Sequence, residues 1–258
     1  MRAHLDAILL ALLIQVPAAD AAVVTRTVDY KAGDVELKGC LVYDDALQGP
    51  RPGMAVFPEW WGLNDNIKGR ATDLAKMGYV AFAADMYGGG KTTTDASEAG
   101  KLSGEVYGKP AMRQRVIAAL DQLKATPGVD PTRLGAMGFC FGGACALELA
   151  YTGAELRGVV TFHGSLPVPQ PADQIKAAIL VFHGAADTFE TPEQITAFQK
   201  AMEQKGVDWQ MFYFGHAVHA FTNPDADKFK IPGVAYDEKA ARRSWAAMTA
   251  FFRGRFAL

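Results

Sequence analysis

The chain has 258 residues, half of them hydrophobic and 21% charged, with a formal net charge of −2. That is enough apolar material for one large core, and α/β domains of this size often stay undivided. The near-neutral balance, without a basic stripe or a charge block, excludes an electrostatic nucleic-acid binder and a charged disordered tail. No apolar run beyond the N-terminus is long enough to span a membrane.

The first residues read as a targeting segment. Arg2 precedes an apolar stretch from Leu5 to Val16, broken by Asp6, and Ala19-Asp20-Ala21 fits the small-residue pattern of a signal-peptide cleavage site. Residues 1–21 are therefore expected to be a signal peptide. The mature chain then starts near Ala22, is exported to a periplasmic or extracellular space, and forms one domain over 22–258. A buried N-terminal helix is the competing reading. Export would place Cys40, Cys140 and Cys145 in an oxidising compartment, where Cys40 and Cys145 could pair and leave one reactive thiol.

Next come VTRTVDY and VELKGCLVY, which flank Ala32-Gly33-Asp34 and predict an opening hairpin. Six short apolar runs follow: GMAVFP, GYVAFAAD, RLGAMGF, LRGVVTFHG, AAILVFHG and WQMFYF. They are rich in small and β-type residues and read as strands buried on both faces. Helical stretches lie between and after them, from Asn66 to Met77, Pro110 to Ala125, Gly143 to Tyr151, Pro192 to Lys205 and Asp237 to Phe252, the last with Asp237 as N-cap. Strands alternating with helices imply a mostly parallel twisted sheet covered on both faces. Ligands in such sheets bind beyond the carboxyl ends of the strands.

The chemistry-bearing residues fall at those ends. Gly138-Phe139-Cys140-Phe141-Gly142 has the G-x-S-x-G form of a nucleophile elbow, with cysteine for serine. The flanking glycines suit a turn too tight for side chains, and the following helix N-terminus offers free N–H groups to an anion. A structural turn around an inert thiol is the bland alternative. Asp187 follows the strand ILVFHG, and His216 and His219 follow WQMFYF, which reproduces the order nucleophile, acid, histidine. In that arrangement the histidine takes the thiol proton and the aspartate fixes its tautomer. His219 is preferred over His216, which sits immediately at the strand end; a His-x-x-His metal pair is the rival. His163 and His183 read as packed or hydrogen-bonded residues at the sheet's edge. Glu59, inside VFPEWW, is an unusual acid to bury.

PEWWGLN (58–64), GYVAFAADMYG (78–88), GFCFGG (138–143), HGAAD (183–187), HAVHAF (216–221) and the terminal YDEKAARRSWAAMTAFF together resemble the dienelactone hydrolases, also called carboxymethylenebutenolidases, over almost the whole mature chain. The resemblance implies an α/β-hydrolase fold and cleavage of carboxylic esters or lactones through a covalent acyl-enzyme, without cofactor or metal. It implies Cys140, Asp187 and His219 as the triad and Glu59 as the acid that receives the thiol proton when substrate arrives. It also implies the backbone N–H groups of Trp60 and Phe141 as the oxyanion hole. Trp61, Tyr87 and Lys91 are candidate pocket residues. The founding members hold a substrate carboxylate with two arginines, after the segments matching Asp85-Met86-Tyr87 and His219-Ala220-Phe221. Here Gly88-Gly89-Gly90-Lys91 and Thr222-Asn223-Pro224 follow instead.

Cysteine itself points to activated esters. A thiolate leaves a tetrahedral intermediate more readily than an alkoxide, so the forward path needs a stabilised leaving group such as an enolate. The expected partner is a small ester or lactone, with no nucleic acid and no membrane, acting on a monomer. The alternative is a non-catalytic small-molecule binding protein on a hydrolase scaffold.

Overall fold

The computed structural model describes residues 23–256, and the expected signal segment lies outside them. In chain order the elements are β1 (Val23–Ala32), β2 (Val35–Asp44), β3 (Arg51–Phe57), α1 (Asp65–Lys76), β4 (Val80–Ala83), α2 (Ala96–Gly104), α3 (Pro110–Lys124), β5 (Val129–Phe139), α4 (Phe141–Tyr151), β6 (Gly158–Phe162), β7 (Ala178–Gly184), α5 (Pro192–Gln204), β8 (Trp209–Phe214) and α6 (Glu238–Phe256). A single 3₁₀ turn, Ala226–Phe229, lies between β8 and α6. The strands form one sheet in the order β1-β2-β4-β3-β5-β6-β7-β8. β1 and β2 are the expected hairpin, joined through Gly33-Asp34 with Ala32 opposite Val35; Gly33, at φ 59°, supplies the positive φ that such a two-residue turn needs. β2 joins β4 antiparallel, and every pair from β4 to β8 is parallel.

Alternation along the strands splits the interior into two cores. Leu41, Ala55 and Phe57 face one, with α3, α4 and α5; Cys40, Val42, Met54 and Val56 face the other, with α1 and α6. Cys145 belongs to the first core and Cys40 to the second, so the sheet lies between them. A disulfide needs Cβ atoms about 4 Å apart, and the suggested Cys40–Cys145 pairing is therefore corrected. All three cysteines are free.

β8 also departs from expectation. It closes the sheet as an edge strand and alternates between half-buried and exposed residues, with Phe212 and Tyr213 exposed, rather than being buried on both faces. α2 carries no clear apolar stripe: only Ala99 and Leu102 are buried, and Asp95 caps it by accepting the Glu98 N–H at 2.8 Å. α6 starts as expected, with Asp237 accepting the Ala240 N–H at 2.9 Å, and runs one turn further than Phe252, to bury Phe256. Among the described residues no helix is long and apolar enough to cross a membrane.

Candidate active site

β5 ends at Phe139 and α4 begins at Phe141, so Cys140 alone makes the turn, at φ 52° and ψ −121°. That backbone region is costly for a side-chain-bearing residue and persists only where its surroundings hold it. Here the Cys140 N–H donates to the Phe162 carbonyl at 3.0 Å, and the Gly143 N–H donates to the Cys140 carbonyl at 2.9 Å. A Cβ on Gly138 would strike the Gly142 carbonyl, and one on Gly142 would strike the carbonyls of Phe57 and Pro58. Both glycines are thus required by close backbone approach. The sulfur sits half-buried in a cleft, at the N-terminus of α4.

His219 reaches the same cleft from the loop after β8, and Asp187, on the loop after β7, is bonded to it. Asp187 Oδ2 is 2.8 Å from His219 Nδ1, and its Oδ1 accepts the Phe189 N–H at 2.9 Å, so both carboxylate oxygens are held. The imidazole and Cys140 line the same cleft, and Cys140 acts on the imidazole's proton affinity. Burial pulls the His219 pKa down, but Cys140 and Asp187 outweigh it and hold the imidazole at about 10. The His219 loop is clasped to the next segment, His219 N–H to Gly233 carbonyl and Ala235 N–H to His219 carbonyl. His216 is exposed, whereas His219 is buried. His163 lies at the end of β6, a central strand rather than an edge one; its ring meets His219 edge-on at 5.3 Å and its Nε2 pairs with Thr222 Oγ1 at 2.7 Å. Burial drives its pKa well down, so it stays neutral. His183 is buried edge-on to Tyr213. No group of three His, Cys, Asp or Glu side chains among the described residues could hold a metal ion.

Glu59 follows β3 and is 2% exposed. Burial pushes its carboxyl up to about 7, against the opposing influence of His219, Asn223, Arg70 and Asn66. Trp60 and Phe141 line the cleft, and among the described residues neither backbone N–H has a hydrogen-bond acceptor within the chain. Tyr87 donates its hydroxyl to the Trp60 carbonyl at 2.8 Å and packs near Phe141.

The cleft has a volume of about 340 Å³. Trp61 lines it, stacked on Phe229 at 4.0 Å, with Ile231 and Val234 beyond. Tyr87 and Lys91 do not line it: Tyr87 supports Trp60 from behind, and Lys91 is an exposed loop residue. Among the described residues no lysine or arginine lines the cleft. Arg70 is occupied elsewhere, donating to the Thr222 carbonyl at 2.6 Å with its guanidinium over Trp245. Sequence reasoning missed Asn223, Tyr107, Phe189 and Phe229. Asn223, Tyr107 and Phe189 sit in connecting segments and Phe229 ends the four-residue 3₁₀ turn, where no periodicity marks them.

The model of the "Dienelactone hydrolase family" matches residues 37–256. A putative carboxymethylenebutenolidase of Aquifex aeolicus is 30% identical over 88% of this chain and 97% of its own length. A probable 2-oxo-3-(5-oxofuran-2-ylidene)propanoate lactonase of a Bradyrhizobium species is 31% identical over 77% of this chain and 82% of its own. Among solved structures, a dienelactone hydrolase-like promiscuous phosphotriesterase from metagenomic libraries is similar with a TM-score of 0.88 and 45% identity, over 90% of this chain and 98% of that one. With an eight-stranded, mostly parallel sheet, a cysteine elbow at its centre and these relatives, the chain belongs to the dienelactone hydrolase family and is an ester- or lactone-cleaving hydrolase of the α/β-hydrolase superfamily.

Proposed function

We propose that the protein hydrolyses neutral, activated carboxylic esters and lactones through a covalent Cys140 acyl-enzyme. The observation that carries this reading is the strained elbow at Cys140, beside an imidazole whose far side is held by Asp187. The thiol gives its one proton to Glu59 as substrate arrives, and the thiolate, facing the imidazolium of His219, adds to the substrate carbonyl. The N–H groups of Trp60 and Phe141 receive the oxyanion. The intermediate collapses with loss of an enolate or aryl oxide, which takes the proton from His219, and a thioester remains. Water, deprotonated by His219, then adds to the thioester; the sulfur departs and the acid product is released. Glu59 is thus the second proton acceptor of the cleft. The absence of lysine and arginine from the cleft wall supports neutral substrates. The same neutrality would admit a phosphotriester, the substrate class in the name of the 45% identical relative.

The test is a cysteine series on an aryl ester. Cys140→Ala should lose at least about a thousandfold in kcat/KM, the scale of removing a nucleophile. Cys40→Ala and Cys145→Ala should keep most activity, since burial raises both thiols' pKa and neither lines the cleft. Intact-mass detection of an acyl adduct on wild type but not on Cys140→Ala completes the test. Turnover by Cys140→Ala would move the chemistry elsewhere. Export with a mature start near Ala22 is proposed on the N-terminal pattern alone. Mass spectrometry of protein from its native host decides it, and an intact N-terminus in a cytoplasmic fraction would sink it.

A further inference from the structure

Asn223 lies in the segment just after His219-Ala220-Phe221 and lines the cleft, with its side chain turned to Glu59. It is 2% exposed, and its Nδ2 donates to Glu59 Oε2 at 2.7 Å. Its Oδ1 accepts the Asp225 N–H at 2.9 Å. The second bond sets the orientation of the amide: the oxygen must meet the Asp225 N–H, which leaves the NH₂ group for Glu59. An amide N–H only donates. Glu59 Oε2 is therefore an acceptor in both protonation states, and a proton on this carboxyl resides on Oε1.

We infer that Asn223 is the positioning residue of Glu59: it confines the exchangeable proton to Oε1 and balances the buried carboxyl with a neutral dipole instead of a cation. The inference rests on the reading of Glu59 as the cleft's second proton acceptor. The other groups near Glu59 are His219 from the loop after β8, and Asn66 and Arg70 from α1. Arg70 makes no ion pair with Glu59; it bonds the Thr222 carbonyl and lies 3.8 Å from Asp73. A guanidinium in bidentate contact would lock the carboxyl in its ionised form. The amides of Asn223 and Asn66 favour the ion only partly, and burial outweighs them, leaving the carboxyl at about 7. Glu59 is thus able to gain and lose its proton near neutrality, which a permanently paired acid cannot do. Asn223 acts through Glu59 and not on the substrate.

The experiment is a pH titration of the protonated-carboxyl infrared band, with Glu59→Gln as the blank, alongside kcat/KM against pH. Asn223→Asp keeps an acceptor for the Asp225 N–H but turns the donor toward Glu59 into a second carboxyl. Asn223→Ser is shorter, draws its hydroxyl back from Glu59 and can still cap the turn. In wild type the band should titrate near 7. In both variants it should persist upward by about one pH unit or more, the scale of one hydrogen bond to a charged group. The matching limb of the kcat/KM profile should move with it, which a merely structural role for Asn223 would not produce. An unmoved band in both variants, with Glu59→Gln impaired in hydrolysis, overturns this inference and leaves the Glu59 reading intact. If Glu59→Gln hydrolyses and is alkylated at Cys140 like wild type, the Glu59 reading itself fails, and with it the catalytic part of the inference.

Discussion

A carboxyl that titrates near 7 inside a protein links proton binding to folding. Glu59 is fully buried and raised from an ordinary value near 4.5 to about 7. Between those values the folded chain holds a proton that the unfolded chain has released. Glu59 therefore favours folding most below about 4.5, and this contribution is lost as pH rises through about 7. Glu59→Gln keeps an acceptor for the Asn223 amide and removes the charge. It should leave stability unchanged near pH 4 and raise it at pH 8, by up to about 3 kcal/mol for a shift of this size. Urea unfolding of both proteins at the two pH values checks this, and equal differences at both would deny Glu59 its buried charge. The raised imidazole of His219 works with the same sign over a higher window, from its ordinary value near 6.5 to about 10. Residues of this kind differ in how they can be read from a sequence. Glu59 stood out because an acid inside VFPEWW has no obvious partner. Asn223 did not, because an asparagine before proline reads as a turn residue whatever its side chain holds.

At the level of elements, the elbow is where backbone and chemistry are least separable. Gly142 lies against the carbonyls of Phe57 and Pro58, at the end of the strand that delivers Glu59 and Trp60. Gly142→Ala must push β3 and α4 apart at that point. The expected loss is about 3 kcal/mol or more, a fall in Tm of roughly 6–12 °C for a domain of this size. Calorimetry of the variant measures it, and a Tm within a degree of wild type would mean the contact relaxes freely. The parallel strands were readable because burial on both faces makes them continuous apolar runs. β8 was misread for a related reason: WQMFYF has the composition of a central strand, and only its place at the end of the sheet exposes Phe212 and Tyr213. α2 was missed because ASEAGKLSG buries two residues and owes its start to the Asp95 cap.

For the whole molecule, the net charge of −2 says little, but the distribution of charge around the cleft says more. Aromatic and aliphatic side chains form most of the wall, and among the described residues it holds no lysine or arginine. Substrate pairs should then separate two effects. Aryl or enol esters should exceed alkyl esters of the same acyl group by roughly tenfold or more in kcat/KM, because each 1.36 kcal/mol of barrier is tenfold. A carboxylate on the acyl portion should give no more than about a twofold gain, since its desolvation finds no partner charge. A large gain from the carboxylate would require a cation to enter the cleft, and Lys230, between the lining residues Phe229 and Ile231, adjoins it in the chain. The pocket's character was only half visible in the chain. The missing arginines could be read directly, but the wall made by Tyr107, Phe189 and Phe229 forms only when three distant loops meet.

The five residues from His219 to Asn223 serve three strand ends at once. His219 bonds Asp187 beyond β7, Thr222 bonds His163 at the end of β6, and Asn223 bonds Glu59 beyond β3. Phe221, in the middle of the segment, is fully buried in the second core and anchors it there. Warming that loosens this segment would disarm the base and the acid in a single event, with the sheet still intact. The working lifetime of the enzyme is then set by the opening rate of one short loop, and its half-life at elevated temperature should be improved by bracing that loop, where added stability in the sheet would do nothing.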